Sequence, residues 1–172
     1  KSLTQEASIG ISQASVVEDD TKLRERVKFI HESVGTDAIA ERFIDGRELY
    51  VGVAGNERLQ VFPIWEINLS KLPDGAHRIA TDRVKWNVEY QKKHKIETSA
   101  ATDLPTVLSE QIQRVAKRVY RALEMSGYAR MDFRLDADGN FFVMEANANP
   151  QLAFGEDFSE SAERAGVNYD EL

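Results

Sequence analysis

The sequence predicts an α+β domain that is built on an antiparallel sheet with packed helices. Two observations support this prediction: several short segments alternate apolar and polar residues between turn signals, and one long segment repeats its apolar residues at helical spacing. The 172 residues are 42% hydrophobic and 30% charged, a balance that is typical of a globular chain and too apolar for a disordered one.

A helix is predicted near the amino terminus, after a polar loop and a short strand within residues 1–17. Asp19 and Asp20 are N-cap candidates, and the apolar residues that follow keep helical spacing. Gly35 stands where a C-cap glycine is expected, because glycine readily adopts the left-handed conformation that ends many helices. The pattern therefore predicts one helix between these two signals.

An antiparallel meander is predicted next, because the apolar period changes from helical spacing to two. Asp45–Gly46 is a strong hairpin signal, and it would join a strand over residues 38–44 to one over residues 49–53. A second turn at Gly55–Asn56 then leads into a returning strand over residues 59–62. In this register Glu48 would lie opposite a residue of the 38–44 strand.

Two further helices are predicted after a long polar connection over residues 66–103. Pro105 is expected at the start of the first, where its missing N–H is not needed. Asp157 or Ser159 would cap the second, which ends at Gly166. The apolar stripe of the longer helix is predicted to consist of Leu108, Ile112, Val115, Val119 and Leu123.

A hairpin is predicted over residues 128–147, with Asp138–Gly139 as a two-residue turn. In that register Asp132 lies opposite Glu145. The residues on one face are all apolar, so this face should be buried against the long helix. They are Ala129, Met131, Phe133, Leu135, Phe142, Met144 and Ala146.

Charged and amide side chains share the other face of this hairpin. Asp132 and Glu145 should repel each other unless something offsets their charge. A divalent cation would do so, since Mg²⁺ prefers oxygen ligands, and Asn147 adds a carbonyl oxygen opposite Arg130, which suits a neighbouring anion. The alternative is a solvated face on which Arg130 and Arg134 pair with the acids, and the hairpin alone leaves both interpretations open.

Composition excludes several classes of function. The chain has 22 Lys and Arg against 29 Asp and Glu, a net charge of −7, which opposes binding to nucleic acid or to an anionic membrane. It has no Cys, so a thiolate nucleophile and a Cys-ligated zinc are excluded, and no apolar run approaches the length of a membrane span. Because the chain opens on Lys1 without an initiator Met, we expect a fragment of a larger enzyme.

Three segments, in order along the chain, resemble the ATP-grasp enzymes, and most closely the D-alanine–D-alanine ligase group. Residues 130–150, with Arg-Met-Asp-Phe before the turn and Met-Glu-Ala-Asn-Ala-Asn-Pro after it, resemble the metal-binding hairpin of that family. Residues 41–48, Glu-Arg-Phe-Ile-Asp-Gly-Arg-Glu, are similar to the hinge that holds the adenosine. Residues 1–10 resemble the strand-end lysine and the phosphate loop.

The resemblance implies an ATP-grasp fold over residues 1–172, with 1–47 in a small lobe and hinge, 48–172 in a large lobe, and an amino-terminal lobe before Lys1. Four residues would contact the phosphates of ATP: Lys1, Ser8, Gly10 and Lys85. Four would hold the adenosine: Glu41, Arg42, Ile44 and Glu48. Three would bind Mg²⁺ or Mn²⁺: Asp132, Glu145 and Asn147. Arg130 would be catalytic and would steady the transferring phosphoryl group or the oxyanion.

Two departures from the ligase pattern concern the substrate rather than ATP. The ligase loop usually reads Glu-Gly-Ser-Ser, whereas residues 5–8 are Gln-Glu-Ala-Ser, so Ala7 replaces a hydroxyl on the substrate side. After the metal asparagine the ligases usually carry Ser-Pro-Gly, whereas residues 149–151 are Asn-Pro-Gln. D-Alanine as the substrate therefore does not follow from the resemblance.

The function that the resemblance implies is that of a cytoplasmic ligase that uses ATP and magnesium to join a small-molecule carboxylate to an amine. Two alternatives stay open: another ATP-grasp chemistry, such as a carboxylate–thiol ligase or a carboxylase lobe, and a nucleotide-binding module that is inactive as this fragment. No nucleic-acid or membrane partner is expected, and a homodimer is an open alternative to a monomer.

Overall fold

The computed structural model of the protein describes residues 1–5 and 7–172; Glu6, in the segment that resembles a phosphate loop, lies outside the described residues. The chain forms two compact units. The first consists of residues 1–44 and 68–97, and the second of residues 45–67 and 98–172. The division into a small lobe over 1–47 and a large lobe over 48–172 stays a prediction.

The predicted first helix is confirmed as α1 (Asp20–Phe29) of the first unit. The side chain of Asp19 caps it by accepting the N–H of Lys22 at 2.8 Å. The helix continues as a π-helical turn, Ile30–Val34, and ends at Gly35, whose φ of 76° is left-handed. Both end signals were therefore read correctly from the sequence.

The rest of the first unit is mostly irregular, with two short helices, α2 (Asp82–Trp86) and α3 (Val88–His94). The strand predicted within residues 1–17 is wrong: Gln13–Ser15 forms a 3₁₀ turn instead. Ser2 makes an isolated antiparallel bridge with Ala38, so the chain start is paired with the segment that precedes residues 41–48.

The second unit contains a six-stranded antiparallel sheet and two helices. Its strands are β1 (Arg47–Ala54), β2 (Gln60–Val61), β3 (Trp65–Ile67), β4 (Thr98–Ala100), β5 (Tyr128–Leu135) and β6 (Phe141–Asn147). Their order is β4-β3-β1-β5-β6, and β2 also pairs with β1. The helices are α4 (Thr106–Ala122) and α5 (Asp157–Arg164).

The hairpin predicted around Asp45–Gly46 is wrong. No regular strand forms over residues 38–44, and Glu48 pairs with Ile67 and Arg134 rather than with a residue before the turn. Close packing, and not a hairpin turn, explains the glycine at position 46. A Cβ on Gly46 would lie 2.0 Å from the carbonyl oxygen of Leu135. The glycine lets the backbone at Gly46 approach the backbone at Leu135 closely. An Asp-Gly pair in the sequence looks the same whether the glycine serves a close approach or a hairpin turn.

One face of the sheet packs on α4, as predicted. Met131 and Phe133 of β5 are fully buried against Ile112 of the helix. The fully buried helical residues are Ile112, Ala116 and Tyr120, so the stripe is rotated from the predicted one and Leu123 is 56% exposed. Three residues predicted to be buried are only partly so and flank the core: Leu108, Val115 and Val119.

The hairpin of β5 and β6 has a longer turn than the sequence predicted. Residues 136–140 form the loop, and the Asp136 carboxylate accepts the N–H groups of Asp138 and Asn140. A bulge then shifts the register between Asp132 and Phe133, so Phe133 pairs with Val143. The prediction that Met144 is buried is wrong for this reason, and its side chain is 39% exposed.

Helix α5 covers part of the opposite face of the sheet, over Gly52 of β1. A second apolar cluster lies there, with the rings of Phe62 and Phe158 in an edge-to-face arrangement at 5.4 Å. A Cβ on Gly52 would lie 2.7 Å from Phe62 and 3.0 Å from Phe158. The absence of a side chain at Gly52 therefore lets the start of α5 come close to the sheet.

Gly52→Ala should lower the free energy of unfolding by about 1–3 kcal/mol, because the added methyl group overpacks this cluster. Thermal or denaturant unfolding of the full-length protein would measure the change. Ser99→Ala, at an exposed position of β4, is the control and should be nearly neutral. Equal stability of Gly52→Ala and the control would contradict the packing described.

Candidate functional site

Polar side chains line one face of the sheet in the second unit, on the side away from α4. We call these residues the polar face: Glu48, Tyr50, Arg130, Asp132, Arg134, Glu145 and Asn147. They alternate along three neighbouring strands with the apolar residues that pack on α4. Four of them are nevertheless buried: Glu48, Tyr50, Asp132 and Arg134. Buried charges need partners, and the polar face supplies them from within the unit.

The predicted register at the centre of the polar face is confirmed. Asp132 lies opposite Glu145, and Arg130 lies opposite Asn147. On the other side of β5, Tyr50 lies opposite Asp132. The two carboxylates are thus brought together across the hairpin, as the metal hypothesis requires.

Arg130 is held by two carboxylates and an aromatic ring. Its Nε and Nη2 donate to the two oxygens of Asp132 at 2.7 and 2.9 Å, and its Nη1 donates to Asp157 at 2.8 Å. The guanidinium carbon lies 4.5 Å from the centre of the Tyr50 ring. The pairing of Arg130 with acids, which was the alternative to the metal interpretation, is therefore present in the structure.

Asp132 is held at an unusual pKa for an aspartate. Burial raises its pKa to about 6, although Arg130 acts in the opposite direction. The nearby charges of Glu48 and Glu145 raise it further. The cost of burying the charged form of Asp132 is therefore not fully offset by its pairing with Arg130.

Glu48 makes contacts that the sequence did not reveal. One carboxylate oxygen accepts the hydroxyl of Tyr50 at 2.9 Å, and the other lies 3.3 Å from Nη2 of Arg134. The side chain is 6% exposed, so Glu48 is a buried acid whose charge is paired within the second unit. Glu145, by contrast, is exposed, and Asn147 is half-buried with its Oδ1 accepting the N–H of Asn149 at 2.8 Å.

The donor set of the polar face suits a hard divalent cation. Asp132, Glu145 and Asn147 offer oxygen ligands, and each carboxylate oxygen can accept a second partner besides a hydrogen bond. A cation would also stabilise the charged form of Asp132, whose pKa is raised by burial and, to a smaller extent, by Glu48 and Glu145. Within residues 1–5 and 7–172, no group of three or more His, Asp or Glu side chains is arranged for metal binding, so this set of two acids and an amide stays a prediction.

The raised pKa of Asp132 predicts how stability changes with pH. In the unfolded chain the group titrates near 3.8 and in the folded protein near 6, so the folded state binds the proton more tightly. The stability that this proton contributes is present below pH 4 and is lost as the pH rises to about 6, by up to about 3 kcal/mol.

Melting temperatures of the full-length protein in chelator, between pH 4 and pH 7, would measure this effect. Asp132→Asn is the control, and the difference between the two proteins should grow as the pH rises through this interval. A constant difference across the interval would contradict the raised pKa that burial gives Asp132.

In the first unit, two of the predicted nucleotide residues contact each other. The Lys1 ammonium lies 2.5 Å from a carboxylate oxygen of Glu41, and both side chains are solvent-accessible. The antiparallel bridge between Ser2 and Ala38 brings these segments together. An exposed pair of this kind contributes little to stability, so both groups can exchange partners at small cost.

The segment that resembles a phosphate loop has an unusual backbone. Ala7, Ser8 and Gly10 all have left-handed φ values, of 55°, 64° and 72°. Such values are strained for non-glycine residues, and successive turns of this kind make concave sites for anions. The Ser8 hydroxyl donates to the carbonyl of Ala80 at 2.6 Å, so this side chain anchors the loop. The Gly10 carbonyl accepts from Arg26.

The remaining predicted residues also lie in the first unit. Lys85 lies on α2 and is half-buried, and its carbonyl accepts the side-chain amide of Gln91 at 2.9 Å. Arg42 is exposed, and Ile44 is half-buried. None of these positions excludes the predicted role.

An open groove of about 530 Å³ lies along α1, and none of the residues predicted for the site lines it. Its lining combines charged and apolar side chains with one histidine: Asp20, Leu23, Arg24, Val27, Lys28, His31 and Glu32. It contains neither a carboxylate pair nor a buried cation. Its volume alone therefore does not make it a catalytic site.

Two residues of the arrangement were missed by the sequence analysis. Tyr50 contacts both Glu48 and Arg130, and it could be found only from the pairing of β1 with β5. Asp157 was read as a helix cap, whereas its carboxylate pairs with Arg130. No local pattern predicts a contact over such a separation in sequence.

No helix in the described part of the chain has both the length and the apolar character that crossing a membrane requires.

Comparisons with known proteins identify the family of this chain. The family model described as "D-ala D-ala ligase C-terminus" matches residues 1–172. A D-alanine–D-alanine ligase from Desulforudis audaxviator is 31% identical and aligns with 100% of this chain and 51% of its own. The chain spans about half the length of the curated relatives it matches.

Solved structures show the same fold. The VanG D-Ala:D-Ser ligase from Enterococcus faecalis superposes with a TM-score of 0.71 at 21% identity, over 96% of this chain and 44% of its own. A D-alanine–D-alanine ligase from Bacillus anthracis, solved in complex with ATP, superposes with a TM-score of 0.68 at 24% identity, over 90% of this chain and 44% of its own. The predicted ATP-grasp fold and the family resemblance are thus confirmed, and the chain belongs to the family of D-alanine–D-alanine ligase C-terminal domains.

Proposed function

We propose that this chain is the ATP-binding part of a magnesium-dependent ligase that activates a carboxylate as an acylphosphate for attack by an amine. The main support for the proposal is the arrangement at the centre of the polar face, where Asp132 lies opposite Glu145 and beside Arg130. Membership in the ligase family supports the same chemistry. Two of the relatives are D-alanine–D-alanine ligases, and we propose a ligase activity of the same kind for this chain.

The proposed reaction needs no nucleophilic side chain. A substrate carboxylate oxygen attacks the γ-phosphorus of ATP, and the bond to the β,γ-bridging oxygen breaks to release ADP. The amine then attacks the acyl carbon, and the tetrahedral adduct expels phosphate as the amine loses its proton. Catalysis in such a reaction is mainly positioning and charge neutralisation, which agrees with a site of fixed arginine and carboxylate groups.

The side chains of the second unit would neutralise charge, bind the metal ion and contact the ribose of ATP. Arg130 would neutralise charge that develops on the transferring phosphoryl group and on the tetrahedral oxyanion. Asp132, Glu145 and Asn147 would hold Mg²⁺ or Mn²⁺, which when bound neutralises phosphate charge. Glu48 would accept hydrogen bonds from the ribose hydroxyls.

The first unit would hold the remaining parts of ATP. The exposed pair of Lys1 and Glu41 could exchange its mutual contact for the phosphates and the adenine amino group. Arg42 and the backbone of Ile44 would lie beside the adenine. The other phosphate contacts would come from Ser8, Gly10 and Lys85. In this proposal residues 1–47 contribute a small lobe with the hinge, and residues 48–172 a large lobe.

Glu48→Gln should weaken ATP binding by about 1–3 kcal/mol, because a charged hydrogen-bond acceptor is replaced by a neutral one. The structure favours this change over Glu48→Ala, because glutamine keeps an acceptor oxygen near Arg134 and Tyr50. Alanine would remove both acceptor oxygens of this buried group and so destabilise the fold by several kcal/mol. Calorimetry on the full-length protein would measure the affinity. Glu110→Gln, an exposed change on α4, is the control, and an affinity equal to that of the control would remove Glu48 from the ATP site.

The substrate class is proposed as an amino-acid or peptide-like carboxylate with an amine acceptor. D-Alanine itself is not assumed, because Ala7 and the Asn149–Gln151 segment depart from the ligase pattern.

Product analysis of the full-length protein with Mg²⁺ and ATP tests the function. We expect ADP and phosphate to form only when a carboxylate and an amine are both present, with an amide as the product. Formation of a thioester with a thiol, or of a carboxylated product with bicarbonate, would replace the amine ligase by another ATP-grasp chemistry. Absence of ADP with every pair would contradict the enzymatic proposal.

A further inference from the structure

A buried carboxylate outside the predicted metal set contacts Arg130. Asp157 is the first residue of α5 and is 8% exposed, and its Oδ2 accepts Nη1 of Arg130 at 2.8 Å. An acid in the first turn of a helix is often explained by the helix dipole, but the exposed Glu156 and the half-buried Glu160 already supply that charge. Burying a further carboxylate costs free energy unless the carboxylate is paired. The buried position of Asp157 is therefore explained by its pairing with Arg130 and not by the helix dipole.

The guanidinium of Arg130 is held by side chains from three elements, β5, α5 and β1. Asp132 lies two residues away on the same strand and occupies Nε and Nη2, so it would follow any movement of β5. Asp157 lies on α5 and occupies Nη1. The ring of Tyr50 on β1 limits movement out of the guanidinium plane. Together these contacts fix both the direction in which the guanidinium group points and the plane in which it lies.

Asp132 alone could not serve as the anchor under the proposed function. Its carboxylate would be shared with a divalent cation, so its geometry would change whenever the cation enters or leaves. Asp157 is not among the proposed ligands, and its helix is seated on the sheet by the contact of Phe158 with Gly52. The helix therefore gives Arg130 an anchor that does not depend on the cation.

We propose that Asp157 is a positioning residue for Arg130. It holds the guanidinium so that the N–H groups which Asp132 and Asp157 leave free are fixed toward the reacting phosphoryl and acyl groups. This inference rests on the proposed function for the role of Arg130, but the contact itself does not.

Asp157→Asn in the full-length protein should lower kcat by about 10²-fold while the KM for ATP is unchanged, because misplacement of a catalytic group by about 1 Å has an effect of that size. The matched control is Glu156→Gln, which removes the neighbouring acid at the start of the same helix and should keep wild-type kcat. A lower melting temperature of Asp157→Asn with unchanged kcat would show a merely structural role and would overturn the inference.

Chemical rescue separates positioning from folding. Added guanidinium ion should restore part of the activity of Arg130→Ala, because the two carboxylates and Tyr50 still form its binding place. It should not restore activity to the double variant Arg130→Ala, Asp157→Asn. Equal rescue of both variants would overturn the inference.

A readout that is independent of turnover distinguishes failure of this inference from failure of the proposed function. In the full-length protein labelled with ¹⁵N-arginine, with the Arg130 signal assigned by Arg130→Lys, rotation about the Cζ–Nε bond should be slow and should become faster in Asp157→Asn. Equal rotation rates in the two proteins would overturn the inference. Slow rotation in a wild type that releases no ADP would contradict only the proposed ligase function.

Discussion

Asp132→Asn and Glu145→Gln should each reduce the turnover of the full-length protein with Mg²⁺ and ATP by about 10²–10³-fold, the usual cost of removing one group that stabilises charge in a transition state. Each change keeps the shape of the side chain and removes one charge. Asp138→Asn is the control, because it removes one exposed charge from the same hairpin. Steady-state kinetics at saturating ATP would measure the effect.

The same variants should also separate the metal site from a set of structural ion pairs. Magnesium with ATP should raise the melting temperature of the wild type by linkage, and this increase should be lost in both variants and kept in Asp138→Asn. Without metal, Asp132→Asn should be as stable as the wild type or more stable at pH 7, because burial disfavours the charged form of Asp132. Identical responses to metal in all four proteins would contradict the site.

Arg130→Lys and Arg130→Ala should each lower kcat by about 10³-fold, since an arginine that neutralises phosphoryl charge contributes at least that much. Lysine keeps the charge but lacks the planar fork that both Asp132 and Asp157 engage. The control is Arg114→Ala, which removes an exposed arginine from α4 and should leave kcat unchanged. Wild-type kcat in Arg130→Lys would show that the fork has no catalytic role.

The opposition of Asp132 and Glu145 was predicted from the sequence although one of its premises was wrong. The turn has five residues rather than two, and a bulge between Asp132 and Phe133 compensates for the difference. The alternation of apolar and polar residues correctly predicted which face of the hairpin is buried around Asp132, Glu145 and Asn147. It could not reveal the bulge, which leaves Met144 exposed and pairs Phe142 with Arg134, so that Phe141 packs on the core instead of Phe142.

Contacts between distant segments are the part that the sequence could not supply. Glu48 was predicted to lie opposite a residue of the 38–44 segment because of a local turn signal, whereas it pairs with Ile67 and Arg134. Gly46 allows the backbone to approach Leu135 instead of forming a hairpin turn. Arg134 was foreseen only as a partner for hairpin acids, not for Glu48. Such pairing depends on the order of strands in the sheet, which no periodicity encodes.

The acylphosphate route can be tested most directly with a carboxylate substrate labelled with ¹⁸O in both oxygens. In the proposed reaction one of these oxygens becomes the bridging atom of the acylphosphate and leaves with the phosphate. Mass spectrometry of the phosphate released by the full-length protein should therefore find one ¹⁸O atom per turnover, with the other in the amide carbonyl. Phosphate without ¹⁸O, or release of AMP and pyrophosphate, would contradict the account.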